Sequence, residues 1–242
     1  GGIDWTSGNF VYGGFAGLGR SFSNFGLRGG EFEQLDATLG GFGGWYGERA
    51  WVNAQLSYSQ LRYDVDREVF LGPAKRTHSG SPDGSNITFG VSAGYNFTGE
   101  ALTHGPVLSV LTQRIDIDGY AEDQPTLSTS LAYPDQNFDS LITSVGWQAS
   151  YQINDHLTPY ARMTWDMEHE DQAEEAFARS QSIVGSLEYA VPGQEFDDTY
   201  LTLQIGARTE LFGMDANIGA SVTTAQGGGN DATLFATFGK KF

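Results

Sequence analysis

Residues Asn86 to Phe97 read NITFGVSAGYNF, and no other stretch limits the fold of this chain so tightly. Ile87, Phe89, Val91, Ala93, Tyr95 and Phe97 fall on one parity; Thr88, Gly90, Ser92, Gly94 and Asn96 fall on the other. A strand alternates its side chains between two faces, so one face here is apolar and the other small and polar. Strands of soluble sheets usually run about five or six residues. Crossing hydrocarbon takes about 9–11 tilted residues, and this segment is long enough.

The pattern recurs. Strands are expected over Asn9–Ser21, Glu33–Tyr46, Ala50–Asp64, Asn86–Phe97, Val107–Tyr120, Ser140–Ile153, Leu157–Asp166, Thr199–Leu211, Ala216–Ala225 and Asp231–Phe242, with Gly1–Gly8 a short polar lead-in. In the fifth, Val107, Leu111, Ile115 and Ile117 are assigned to the apolar face and Thr112, Arg114, Asp116 and Asp118 to the polar one. Long polar connections follow the third, fifth and seventh strands (Arg67–Ser85, Ala121–Asn137, Met167–Asp197), and tight turns follow the second, sixth and eighth. Short turns on one side and long loops on the other characterise outer-membrane barrels. The expected fold is therefore all-β, a transmembrane antiparallel up-and-down β-barrel with about ten strands in this chain, forming one domain over residues 1–242. An even strand count puts both termini on the short-turn, periplasmic side, with the long loops extracellular. Lipid tolerates no open sheet edge, so the first and last strands are expected to pair.

Composition narrows the alternatives. With 30 acidic and 13 basic residues the formal net charge is −17, which repels nucleic-acid phosphates. Cysteine is absent, which argues against a disulfide-stapled secreted module. No run of 18 apolar residues exists for a membrane-spanning helix.

Candidate functional positions follow from the two faces. Trp45, Tyr46, Trp51, Tyr95, Phe97, Tyr151 and Phe238 lie near short-turn ends, where an interfacial aromatic girdle belongs. Arg114, Asp116, Arg162, Asp166, Arg208 and Glu210 are read as lumen-facing charges, able to form a cross-strand ladder. Such a ladder either hydrates a pore or only stiffens its wall. Phe238 and Phe242 close the chain with an apolar aromatic strand and are expected to serve as the assembly signal.

Other motifs read as structural. Gly90-Val91-Ser92-Ala93-Gly94 matches a nucleophile elbow, yet it lies inside a regular strand rather than at a sharp strand-to-helix turn. Asp116-Ile117-Asp118-Gly119 lacks the later acids of a calcium loop. His78, His104, His156 and His169 have no ligand spacing, and Glu168, Glu170, Asp171, Glu174 and Glu175 read as a solvated acidic loop. No catalytic residue, metal or cofactor is expected.

From Gly105 onward the chain resembles the translocator β-domain of autotransporters, the type V secretion proteins of Gram-negative bacteria. The matching stretches are RIDIDGYAED (Arg114 to Asp123), VGWQASY (Val145 to Tyr151), LTPYARMTWDMEHE (Leu157 to Glu170) and the final strand ending in Phe242. The layout is most similar to the esterase-type autotransporters, with a long acidic loop before the third-last strand. This resemblance implies a non-enzymatic outer-membrane translocator, inserted by the barrel assembly machinery among lipid and lipopolysaccharide, that exports a fused amino-terminal passenger. The family barrel has twelve strands and a linker helix threaded through its lumen. Either the first hairpin and linker lie upstream of Gly1, or the first strand is miscounted. Lys240 departs from the apolar residue the family carries there. A free-standing pore for small solutes is the alternative.

Overall fold

The computed structural model describes residues 1–25, 29–170, 176–191, 197–226 and 230–240. The chain forms β1 (Gly2–Ser7), β2 (Phe10–Phe25), β3 (Gly30–Tyr46), β4 (Ala50–Leu71), β5 (Ala74–Gly80), β6 (Asp83–Tyr95), β7 (Phe97–Thr98), β8 (Leu102–Ile117) and β9 (Tyr120–Ala121). It continues with β10 (Leu131–Tyr133), β11 (Gln136–Tyr151), β12 (Leu157–Glu168), β13 (Ala176–Ser180), β14 (Tyr189–Val191), β15 (Thr199–Leu211), β16 (Met214–Thr224) and β17 (Ala232–Gly239).

The main sheet has thirteen strands, eleven of them in the continuous order β1-β2-β3-β4-β6-β8-β11-β12-β15-β16-β17. Each neighbouring pair on this path is antiparallel. All ten strands expected from the sequence are present. Gly2–Ser7 is a correction: this lead-in is a strand, pairing Trp5 with Tyr12 and Ser7 with Phe10. Its alternation, Ile3 and Trp5 against Asp4 and Thr6, is too short to stand out without a partner.

Eleven antiparallel strands leave β1 and β17 running in the same direction. Among the described residues β1 pairs with β2 and β17 with β16, so the expected pairing of the first and last strands is not found. β17 ends at the short-turn end, where Gly239 faces Asp215, but Gly2 lies midway along the wall opposite Phe15. The even count, and with it a common end for both termini, does not hold.

The ladder sorts the side chains into two faces. Val52, Leu56 and Tyr58 are exposed on the outward face of β4, level with Ala93, Phe89 and Ile87 of β6. Leu201, Leu203 and Ile205 continue that face on β15, and Ile218, Val222 and Leu234 on β16 and β17. The opposite face lines a cavity of about 590 Å³ that takes Phe42 from β3, Asn53 from β4, Ser144 from β11 and Thr202 from β15. Strands far apart in the sheet thus meet across a concave space, and the sheet curls with its apolar face outward.

Glycine permits close packing on the concave face. A Cβ on Gly94 would meet the Trp51 ring at 2.5 Å, and one on Gly219 would meet Phe235 at 2.6 Å. Aromatic rings lie flat over these residues, a known way to protect strand glycines.

Candidate functional site

The concave wall carries the polar chemistry of the molecule. Two adjoining recesses, of about 590 and 580 Å³, share Tyr46, Asn53, Arg162 and Gln204. The second is lined by Asn96, Thr103, Gln148, Tyr160, Arg208 and Asn217 among others. Amides, hydroxyls and guanidinium groups offer donors and acceptors without binding one partner tightly, which suits the passage or seating of a hydrated chain.

Arg162, Asp166, Arg208 and Glu210 face this concave side. Arg162 reaches Ser109 Oγ at 3.4 Å. Asp166 is buried and accepts from Thr202 Oγ1 at 2.6 Å and Thr164 Oγ1 at 3.2 Å. The Arg208 guanidinium lies 5.4 Å from the Tyr160 ring centroid, and Glu210 contacts His156 Nδ1 at 3.1 Å. These residues satisfy local partners of mixed kind rather than a continuous ladder of ion pairs.

Arg114 and Asp116 are corrections, because both face outward. The register sets Arg114 between Ile87 and Asp139, and Ile87 belongs to the apolar outward face. Leu108 and Val110 are the exposed outward aliphatic residues of β8, on the parity of Arg114 and Asp116, whereas Val107 is buried and Leu111 lines the cavity. Both parities of this strand carry aliphatic residues, so its alternation did not say which faced which way. Neighbouring strands decided: Leu111 covers Gly90 on the inside, and Leu108 pairs with Val145 on the outside.

The aromatic girdle is corrected at two positions. Trp45, Tyr95, Phe97 and Tyr151 are exposed on the outward face, where Phe97 stacks on Trp147 at 6.2 Å. Phe238 is outward too, beside Ala216. Tyr46 and Trp51 pair across β3 and β4 on the concave side and line the second recess. A single-residue step along a strand reverses the face. Trp5, Phe10 and Tyr12 join the outward set; the sequence reading missed Trp5 because β1 was not recognised, and Phe10 and Tyr12 because the glycines of Asn9–Ser21 hide its parity. Phe242 lies outside the described residues, as do Asp171, Glu174 and Glu175.

The remaining motifs fall at separate places. Ser92 sits mid-strand in β6, opposite Asn53 and Ser109. His104 stacks on Trp147 at 5.8 Å, and His169 Nε2 meets Thr143 Oγ1 at 2.8 Å. Glu168 is no loose loop acid: it accepts from Ser140 Oγ at 2.6 Å and Leu141 N at 2.8 Å. Gly119 N donates to Asp135 Oδ1 at 2.7 Å, closing the turn after β8.

At the long-connection end, segments expected as loops build a packed cap. Arg67–Ser85 is the far end of β4 with the hairpin strand β5, and β14-β13-β10-β9 form a second sheet of four strands. Arg67 grips Glu122 through two bonds, Nε to Oε1 at 2.6 Å and Nη2 to Oε2 at 2.7 Å. His78 is fully buried and meets Thr129 Oγ1 through Nε2 at 2.8 Å. Gln181 Nε2 donates to the Glu122 carbonyl at 2.7 Å, tying the third connection to the second. Nothing in the polar composition of these stretches foretells such contacts, which link residues more than fifty positions apart.

Tyr120 and Tyr133 stack at 4.8 Å within the cap. Burial pushes both phenols above the usual range, and the nearby Glu122 carboxylate adds to the effect on each. The unfolded chain ionises its tyrosines near pH 10, before these two. Cap stability is therefore full below about pH 10 and is lost above it as the unfolded state takes up the charge first. Ultraviolet titration should show one late phenol fewer in Tyr120→Phe than in wild type; the same number in both proteins would contradict this.

Comparison with known proteins places this architecture. The autotransporter beta-domain family matches residues 1–223. The fold is similar to the translocator domain of autotransporter NalP from Neisseria meningitidis, with a TM-score of 0.73, 16% identity, and coverage of 93% of this chain and 73% of that one. It is also similar to the transport unit of the autotransporter AIDA-I from Escherichia coli, with a TM-score of 0.64, 15% identity, and coverage of 100% of this chain and 80% of that one. An uncharacterized protein in the trpE-trpG intergenic region of Pseudomonas putida is 28% identical over 131 residues, 53% of this chain. That match spans 22% of the Pseudomonas protein's own length.

Proposed function

The chain belongs to the autotransporter beta-domain family, and from that premise we propose that it is the outer-membrane translocator of a longer protein, anchoring a fused amino-terminal passenger and helping it reach the cell surface. The observation that carries this reading is the inverted wall. Leu56, Phe89, Val145, Leu203 and Leu234 are exposed on a continuous outward face, while Asn53, Ser144 and Gln204 turn toward the concave side. Acyl chains cover the first set and water fills the second.

On this reading residues 1–242 are one translocator domain, its long connections and their cap extracellular and its tight turns periplasmic. An even number of strands lets every pair in the barrel be antiparallel, so this reading places a further strand of the longer protein between β1 and β17. Phe238 and Phe242 present the carboxy-terminal signal to the barrel assembly machinery. Lipid and lipopolysaccharide surround the apolar band. The long acidic connection before β15 supports a finer placement with the esterase-type autotransporters. The domain performs no catalysis: its part is a hydrated route sealed from lipid.

The test uses the complete reading frame with an epitope tag in its upstream part, expressed in a Gram-negative host. External protease should remove the tag from intact cells. Tryptophan at Ser92 and Ser144, on the concave wall, should abolish most of that surface signal while the barrel still folds, whereas Leu108→Trp on the outward face should not. Steady, wide conductance of the purified protein with no exported tag would favour a solute pore instead.

A further inference from the structure

We propose that Arg20, Arg62 and Arg114 form an outward-facing surface that binds the phosphates of lipid headgroups at the long-connection end of the wall. This rests on the membrane reading above. The three arginines belong to β2, β4 and β8, and the register puts each on the outward face: Arg20 beside Leu35, Arg62 two residues beyond Gln60 and four beyond Tyr58, Arg114 beside Ile87. Their side chains are 58%, 69% and 56% exposed.

They stand at the edge of the apolar band. On β2 the outward residues run Phe10, Tyr12, Gly14, Ala16 and Leu18 before Arg20, whose guanidinium lies 4.5 Å from the ring centroid of the outward Phe22 beyond it. On β3 the outward face runs from Trp45 to Leu35, a rise of about 34 Å along the strand, or about 26 Å at a tilt near 40°. That matches the apolar height of about 25 Å usual in outer-membrane barrels. Guanidinium groups on the rim of such a band lie at headgroup depth, with their alkyl stems on the apolar side.

The two rims differ. Outward strand positions at the short-turn end carry Trp5, Tyr12, Trp45, Tyr95, Trp147 and Tyr151, and among the described strand residues no Asp, Glu, Lys or Arg joins them there. The opposite rim carries the arginines, one on every second strand of the path. Adjacent strands lie about 4.8 Å apart, so Arg20 and Arg62, level with one another through Leu35, are about 10 Å apart, a spacing suited to a headgroup with two phosphates. Arg114 is level with Tyr58, four residues along β4 from Arg62, and lies about 16 Å from it.

Two of the present partners leave their arginines free to exchange. Arg62 meets Asp83 at 3.4 Å and Arg114 meets Asp116 at 3.2 Å, exposed pairs of a kind that hold weakly. Arg20 holds Glu33 more firmly, through Nε to Oε1 at 2.5 Å and Nη2 to Oε2 at 2.9 Å, but a guanidinium has five N–H donors and keeps others for a phosphate. Arg62 and Arg114 each use one, through Nε. Asp64 and Asp139 face outward on the same rim, so carboxylates outnumber arginines and a divalent cation must screen them.

The protein is inserted into phosphatidylcholine vesicles with magnesium, with and without bisphosphorylated lipid A, then extracted in mild detergent for native mass spectrometry. Wild type should retain lipid A. R20Q/R62Q/R114Q should retain it about tenfold less or weaker still, the loss expected when charge-assisted phosphate bonds go. E33Q/D83N/D116N should retain as much or more, since it frees the arginines; a loss in that variant equal to the arginine variant's would mean a structural role only. Equal retention by wild type and the arginine variant, with both inserted, overturns this proposal alone. Displacement of lipid A by inorganic phosphate at matching concentration makes the site one for free phosphate and overturns the lipid assignment. Failure to insert into either vesicle overturns the membrane reading and this surface with it.

Discussion

Arg67→Ala should melt the cap at the long-connection end while leaving the main sheet folded. The Glu122 carboxylate is 3% exposed, and beyond Arg67 it accepts from the Leu131 N–H at 2.8 Å and meets the Tyr133 phenol. Arg67 also donates from Nη2 to the Thr129 carbonyl at 2.7 Å. Removing the arginine strands a buried carboxylate, which costs about 3–5 kcal/mol in such pairs. The guanidinium is itself 27% exposed, so the lower end of that range, about 3 kcal/mol, is expected. A bidentate pair replaced as a whole behaves differently, because no charge is left behind. Arg67→Met combined with Glu122→Leu should recover most of the loss. The measurement is limited proteolysis with hydrogen exchange across Asp118–Tyr133 in all three proteins. Equal protection in Arg67→Ala and the double variant would show that the pair does not organise the cap.

Gly105→Val should prevent the folded wall from forming. The β6–β8 ladder breaks off at the Gly94–Val107 pair and resumes at Phe97–His104. Pro106, in the gap, has no N–H to offer. In that gap the Tyr95 carbonyl turns onto Gly105, and a Cβ there would overlap its oxygen. A backbone atom cannot swing aside as a side chain can, so the two strands must separate. The expected cost is about 3 kcal/mol or more, above the range of ordinary overpacking. Gel mobility with and without boiling reads the outcome: wild type should shift, Gly105→Val should not, and Gly99→Val, in a turn where the contact is ordinary, should shift like wild type.

Length and alternation announced the strands. A segment such as Asn86–Phe97 has one way to bury an apolar face, and its extent exceeds what a small soluble sheet uses. The same logic located the concave positions of Arg162, Asp166, Arg208 and Glu210, because Trp165, Met163 and Leu203 on the opposite parity left no doubt about the outward side. It failed where a strand is aliphatic on both faces, as at Leu108 and Leu111, and so misplaced Arg114 and Asp116. It failed again at Tyr46 and Trp51, which were grouped by height along the wall rather than by face.

What the chain settled alone is therefore whatever depends on a residue and its near neighbours: strand extent, turn position and two-sidedness, which follow from a period of two. Tertiary structure decided what depends on contacts between distant segments. The face that β8 turns outward is fixed by Val145 and Ile87 on its partners. The cap exists because Arg67, Glu122 and Gln181, far apart in sequence, satisfy one another once water is excluded. A buried charge or amide must find its partner wherever the fold brings one, and spacing along a chain carries no record of that meeting.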